Sequence, residues 1–204
     1  KGMKQLIPDN SIDLVMTSPP YANLRGYGKE GVGRINPDEY VEWFKPIAKE
    51  IYRCLKPSGS FILNINDRVV NGERHLYVFD LVAALKREVG FKYFERFIWL
   101  KKACQAWSSP RRVTDETEYV FWFYKENYTL NIDDIRREYS EASLKRFQYR
   151  YKADKNDFKK DGEKIEANPK GAKPGNLLFL PVSNVKGHNH IAPYPEELSN
   201  WFIK

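Results

Sequence analysis

Apolar positions along this chain fall into two patterns: short unbroken or alternating runs, and longer runs spaced by three and four residues. Ile12-Asp13-Leu14-Val15-Met16 is a short apolar run, with the turn residues Pro8-Asp9-Asn10-Ser11 before it and Pro19-Pro20 after it. This arrangement predicts a buried strand that stops abruptly. Ser60-Phe61-Ile62-Leu63-Asn64-Ile65-Asn66 predicts a second buried strand, entered through a turn at Lys56-Pro57-Ser58-Gly59. Tyr93–Lys101 and Glu118–Lys125 are alternating and rich in aromatic residues, and predict strands three and four. Residues 38–55 have helical spacing with Asp38 at the start, and Pro46 predicts a kink or two helical pieces. Residues 76–89 predict an amphipathic helix closed by Gly90. The order strand, helix, strand, helix, strand, strand predicts an α/β layered sheet ending in a hairpin. Further on, residues 176–182 predict a short strand or extended piece, and Pro195 followed by Glu196 and Glu197 marks a helix start.

Hydrophobic residues are 42% of the 204, which supports one domain, or one domain with an inserted module. Aromatic residues reach 15%, enough for both core and stacking surfaces. The net charge of +7 favours a polyanionic partner. Much of it sits between residues 136 and 173, where twelve Lys and Arg stand against seven Asp and Glu. Apolar positions are sparse there beyond Leu144, Phe147, Tyr149 and Tyr151. Such a composition suits either a solvated loop or a DNA-facing module of phosphate-binding bases and stacking aromatics. Two cysteines, Cys54 and Cys104, read as reduced thiols rather than a disulfide framework. His188 and His190 lack the cysteine or carboxylate spacing of a metal site, so no metal is expected. No apolar run approaches membrane-spanning length; a soluble cytoplasmic chain without a membrane partner is expected.

The chemistry concentrates at Thr17-Ser18-Pro19-Pro20-Tyr21. Two prolines donate no backbone hydrogen bonds and fix φ, so the chain leaves the strand as a stiff rim. That rim carries a hydroxyl, free carbonyls and one aromatic ring. Ser18 and the Pro19 carbonyl suit the two hydrogens of an amine at the edge of a planar group stacked on Tyr21. Downstream, Gly26, Gly28 and Gly31 spell G-x-G-x-x-G, but they neither follow a strand directly nor open a helix. The segment reads instead as a lid whose Arg25, Lys29 and Arg34 reach phosphate. Asn64 and Asn66 share a strand face and suit either pocket lining or strand-end hydrogen bonding.

Ser18-Pro19-Pro20-Tyr21 resembles the (Ser/Asn/Asp)-Pro-Pro-(Tyr/Phe/Trp) signature of the exocyclic-amino DNA methyltransferases. The serine form is most similar to members that methylate cytosine at N4. Trp99-Leu100-Lys101, then Pro110, Arg111 and Arg112, then Glu118-Tyr119 before an aromatic strand, also resembles this family. So does His190-Ile191-Ala192-Pro193-Tyr194-Pro195, which is similar to the block that cradles the methionine end of the cofactor. The order of these segments resembles the beta group, in which the catalytic half precedes the cofactor half.

The resemblance implies a partial Rossmann-like S-adenosylmethionine-dependent methyltransferase sheet with a terminal hairpin and an inserted target-recognition region. Residues 1–130 would be the catalytic part, 131–180 the target-recognition region, and 181–204 the cofactor cradle with the start of a helix. Ser18, Pro19, Pro20 and Tyr21 take the catalytic role. Thr17, His190, Ala192, Pro193, Tyr194 and Pro195 would hold S-adenosylmethionine. Arg25, Lys29, Arg34, Arg111, Arg112, Arg146 and Arg150 would contact double-stranded DNA. The implied activity is methyl transfer to the N4 amine of a flipped cytosine, within a restriction–modification system. Adenine N6 methylation is the nearer alternative, and a truncated, inactive nucleic-acid-binding fragment is the alternative of another class. No Pro-Cys nucleophile of the carbon-5 methyltransferases is present. One departure stands out: the family's Asp-Pro-Phe-x-Gly-x-Gly cofactor motif is absent. Its absence implies an unpaired apolar edge at residues 12–17. It also implies a cofactor half supplied by a longer chain or a second polypeptide, with a homodimer as a further expectation.

Overall fold

The computed structural model describes residues 3–22, 35–101, 111–147, 166–182 and 194–204. The chain divides into two compact units, residues 1–129 with 176–203, and residues 130–175.

In the first unit, a one-turn helix α1 (Met3–Leu6) precedes β1 (Ile12–Thr17). Helix α2 (Tyr40–Cys54) follows a 3-10 turn at Pro37–Glu39, where the Asn36 side chain accepts from the Asp38 N–H. Strand β2 (Leu55–Ile65) continues directly from α2. Next come the two-residue strands β3 (Val69–Val70) and β4 (Glu73–Arg74), then α3 (Tyr77–Ala84). The long hairpin β5 (Lys92–Lys101) and β6 (Thr117–Tyr124) follows. The unit closes with β7 (Leu177–Leu180) and α5 (Glu196–Ile203).

Five strands form one mixed sheet in the order β1-β2-β6-β5-β7. β1 runs parallel to β2 and β7 parallel to β5, while β6 is antiparallel to both of its neighbours. Among the described residues β1 is paired on one side only, so it forms an edge of the sheet.

The sheet is covered on both faces, which explains why β2 is an almost unbroken apolar run. On one face Phe61, Leu63 and Ile65 of β2 and Phe121 and Phe123 of β6 meet the helices. α2 supplies Tyr40, Phe44, Ala48 and Ile51, a stripe at helical spacing, and α3 supplies Tyr77, Val78 and Leu81. Each of these large side chains contributes about 1.5–3 kcal/mol by leaving water. On the other face α5 packs through aromatic rings, with Trp201 4.9 Å and Phe202 5.2 Å from Phe97, and Phe202 6.0 Å from Trp122.

Three local details differ from the sequence expectations. α2 runs without a break through Pro46. That residue is exposed, so the carbonyl left without a helical donor can be solvated. The turn expected at Lys56-Pro57-Ser58-Gly59 lies inside β2 as an irregularity: Ile12 pairs with Leu55, but Leu14 already pairs with Ser60. Its carbonyls are used across the sheet, with Pro57 accepting from Glu126 and Asn127, and Gly59 from Lys125. The β3–β4 hairpin has no counterpart among the expected elements. It turns on Asn71 and Gly72, both at positive φ (50° and 89°), as a two-residue hairpin turn of this hand requires. The helix over 76–89 ends as expected: α3 passes into a π-helical turn at Leu85–Val89, and Gly90 caps it at φ 102°.

The second unit is held by polar contacts. Neither its 3-10 turn (Ile132–Ile135) nor its helix α4 (Glu141–Phe147) has a buried residue. Asp133 instead pairs with Arg136 and Lys170, each at 2.7 Å, and Arg137 bridges to Ala172. These two cations, Lys170 first, hold the Asp133 carboxyl below its ordinary pKa. Among the described residues no helix is long and apolar enough to cross a membrane.

Candidate active site

β1 and β2 are parallel, β6 runs against β2, and β5 runs against β6. The end of β1, the ends of β2 and β5 and the start of β6 therefore lie at one edge of the sheet. Ligands of open α/β sheets sit outside the carboxyl ends of the strands, and four groups from these elements meet there. The Tyr21 hydroxyl donates to Glu118 Oε2 at 2.6 Å. Asn64 Nδ2 donates to the same oxygen at 3.1 Å and to the Tyr119 carbonyl at 3.1 Å. Lys101 Nζ pairs with Glu118 Oε1 at 2.7 Å. A phenol has one proton to donate and directs it to Glu118, so its 3.4 Å approach to Asn64 Oδ1 is weak, as is the 3.4 Å donation from Ser18 Oγ to the phenol oxygen. Burial, reinforced by the Glu118 carboxylate, holds the Tyr21 phenol well above its ordinary pKa. It therefore remains a neutral donor.

The Pro-Pro corner is braced from two further sides. Tyr40, the first residue of α2, donates its hydroxyl to the Pro20 carbonyl at 2.7 Å. Arg68 Nη1 donates to the Ala22 carbonyl at 3.2 Å. Among the described residues no donor reaches the Pro19 carbonyl. Pro19 is buried while Ser18, Pro20 and Tyr21 are half-buried, so the corner is seated on the core without being enclosed by it.

Asn64 and Asn66 part ways. Asn64 joins the Glu118 cluster, whereas Asn66 is consumed at the strand end, donating to the Thr117 carbonyl at 3.0 Å and accepting from Asp67 N at 3.1 Å. Thr17 is half-buried at the end of β1, and Tyr194 is half-buried just ahead of α5. Pro195 is buried, and its carbonyl accepts from Leu198 N in the first turn of that helix. Arg111 and Arg112 are exposed, and the Arg112 guanidinium donates to the Gly72 carbonyl at the tip of the β3–β4 hairpin. Arg146 is exposed on α4 in the other unit and donates to Ser143 Oγ at 3.2 Å. Arg25, Lys29, Arg34, Arg150, His190, Ala192 and Pro193 lie outside the described residues. Sequence reasoning assigned no role to Tyr40, Arg68, Lys101 or Glu118, although Lys101 and Glu118 belong to the W-x-K and Glu-Tyr segments noted above.

A parallel-start sheet with a Pro-Pro-aromatic corner at its carboxyl edge defines a recognisable class. Residues 12–204 match the DNA methylase family, and the chain belongs to it. M.PvuII, a type II methyltransferase of Proteus hauseri, is 31% identical over 221 residues, spanning 97% of this chain and 65% of its own length. M.BglII, a type II methyltransferase of Bacillus subtilis, is 31% identical over 199 residues, spanning 94% and 50% respectively. The structure of the PvuII DNA methyltransferase (cytosine-N4-specific) superposes with a TM-score of 0.68 at 28% identity, over 98% of this chain and 64% of that one. A Thermus thermophilus protein complexed with S-adenosyl-L-methionine shares the fold, with a TM-score of 0.53 at 20% identity over 98% and 68% of the two chains. The chain thus spans half to about two thirds of the length of the curated relatives it matches.

Proposed function

We propose that this chain carries the base-binding part of a DNA methyltransferase that transfers a methyl group from S-adenosylmethionine to the exocyclic N4 amine of cytosine, in a restriction–modification system. The observation that carries the reading is the corner itself. A Pro19 carbonyl without a described donor stands beside the Ser18 hydroxyl and an anchored Tyr21 ring, at the carboxyl edge of the sheet.

The amine of a paired cytosine is committed inside the duplex, so the base must leave the stack before it can be methylated. Tyr21 offers its ring to the extruded base, while Ser18 Oγ and the Pro19 carbonyl accept the two amine hydrogens. Those acceptors draw the nitrogen lone pair out of conjugation with the ring and fix its direction. S-adenosylmethionine supplies the electrophilic methyl group. The amine lone pair would form the new nitrogen–carbon bond as the methyl–sulfur bond breaks, its electron pair staying on sulfur in the departing S-adenosylhomocysteine, and the surplus amine proton would leave to water. Orientation and placed acceptors carry the rate. Thr17 and Tyr194 fit the cofactor side, since Thr17 ends the edge strand and both are half-buried. His190, Ala192, Pro193 and Pro195 complete the proposed cradle. Exposed Arg111, Arg112 and Arg146, with Arg25, Lys29, Arg34 and Arg150, are assigned to phosphate. We assign target recognition to the 131–180 region. The outer edge of β1 pairs with a strand from the cofactor half, in the same or a second polypeptide.

Incubation of the complete protein with DNA and methyl-labelled S-adenosylmethionine, followed by nucleoside chromatography, tests the reading. Label in N4-methylcytosine is the expected result. Label in N6-methyladenine transfers the mechanism to the other base, and bound but unmethylated DNA makes the chain a binding fragment.

A further inference from the structure

We infer that Glu118 is a positioning residue for base binding: its carboxylate fixes the direction in which the Tyr21 side chain points by holding the phenol oxygen, and is itself held by Lys101 and Asn64. This inference rests on the proposed role of the Ser18–Tyr21 corner and adds a residue that lies outside it. At this carboxylate, side chains of β2, β5 and β6 meet that of the corner following β1. Oε2 accepts from Tyr21 at 2.6 Å and from Asn64 at 3.1 Å, and Oε1 pairs with Lys101 at 2.7 Å. The side chains of Lys101 and Glu118 are only 17% and 13% exposed, so the pair is sheltered from solvent competition. Charge-assisted hydrogen bonds in such a setting are short and directional.

The consequence for Tyr21 is geometric. Its ring packs against the helix-covered core, which restrains one face. Fixing the hydroxyl at the far end holds the side chain against swinging about its first torsion, while packing against the core limits rotation of the ring about the second. The position of the ring is therefore set before binding, which lowers the ordering needed when a base arrives. The acceptor at position 118 matters for this, more than its charge. Glutamine retains an oxygen for the phenol and for Asn64, while the amide end releases Lys101 to solvent. Alanine leaves the phenol without its acceptor.

The test compares Glu118→Ala, Glu118→Gln, Tyr21→Phe and the double variant Tyr21→Phe/Glu118→Ala in the complete protein, using DNA that the wild type methylates. Misplacement of the ring should lower kcat for Glu118→Ala by roughly 3- to 10-fold, less than loss of the ring itself, with KM for S-adenosylmethionine within about 2-fold of wild type. Glu118→Gln should recover to within roughly 2-fold of wild type, because the hydrogen-bond acceptor is kept. Tyr21→Phe should resemble Glu118→Ala, and the double variant should be no slower than the slower single, since both remove one contact. If Glu118→Ala does not fold, Tyr21→Phe and Glu118→Gln carry the comparison. Wild-type kcat in Tyr21→Phe, or a Glu118→Gln as impaired as Glu118→Ala, overturns the positioning role while leaving the methyltransferase reading intact. A folded wild type that methylates no DNA overturns that reading, and this inference with it.

Discussion

The Tyr40 hydroxyl donates to the Pro20 carbonyl at 2.7 Å, tying the first turn of α2 to the corner that follows β1. Tyr40 is fully buried, its ring centroid 4.7 Å from that of Tyr77, and the Tyr77 hydroxyl in turn donates to the Asn66 carbonyl at the end of β2. Two phenols from two helices thus brace the ends of two parallel strands. Tyr40→Phe keeps the packing and removes the donor to Pro20. It should cost about 0.5–1.5 kcal/mol, the net worth of one such hydrogen bond where the acceptor is only partly shielded from water. Urea unfolding with an unchanged slope would measure it, and a stability equal to wild type would show that the brace carries no weight.

Stability at alkaline pH should report the Tyr21 and Tyr77 phenols. Burial, then Glu118, raises the Tyr21 pKa, and burial raises that of Tyr77. An unfolded tyrosine titrates near pH ~10. The folded protein therefore holds both protons after the unfolded chain has begun to lose them. Their stabilising contribution is complete below about pH 10 and is lost as pH rises toward the folded-state values. Denaturant unfolding at a series of pH values should show this decline, and Tyr21→Phe should make it shallower. An alkaline limb identical in Tyr21→Phe would contradict the shielded state of that phenol.

Two glycines give opposite expectations. A Cβ on Gly59 would stand 2.9 Å from the Lys56 carbonyl oxygen and 3.0 Å from that of Ile12, where β1 and β2 meet at the irregularity. Both neighbours are backbone, so Gly59→Ala should destabilise by about 1–3 kcal/mol. Gly175 has nothing within 4 Å of the added atom, and Gly175→Ala should fall within roughly 0.5 kcal/mol of wild type. Thermal or urea melts of the two variants decide between them.

If Arg111 and Arg112 meet phosphate, each replacement by alanine should weaken DNA binding evenly across sequences. Each should also reduce the slope of log affinity against log salt by about 0.9. Binding isotherms at several salt concentrations give that slope directly. An unchanged slope in both variants would remove these residues from the DNA-facing surface.

Much of the sheet was legible because its signals are local. Ser60–Asn66, Tyr93–Lys101 and Glu118–Lys125 carry apolar or alternating aromatic runs that no helix would bury as well, and all three lie in strands over most of their length. The corner was legible because consecutive prolines fix the backbone wherever they occur. Its supports were not, since Tyr40 lies 20 residues from Pro20, Arg68 46 from Ala22 and Glu118 97 from Tyr21. No periodicity encodes contacts of that separation. The Asn71-Gly72 turn is different: its dipeptide is a strong hairpin signal, overlooked because only two residues flank it on each side. Pro46 does not split α2 into two pieces, because an exposed proline leaves its unmatched carbonyl to water, and exposure is not displayed by a sequence.

Single-turnover transfer of a labelled methyl group by Tyr21→Ala bears most directly on the role of the corner. Loss of a stacking surface worth about 1–3 kcal/mol should slow transfer or weaken capture of the extruded base by roughly 10- to 100-fold, with the variant still folded. Turnover and DNA affinity equal to wild type would mean that no base rests on Tyr21.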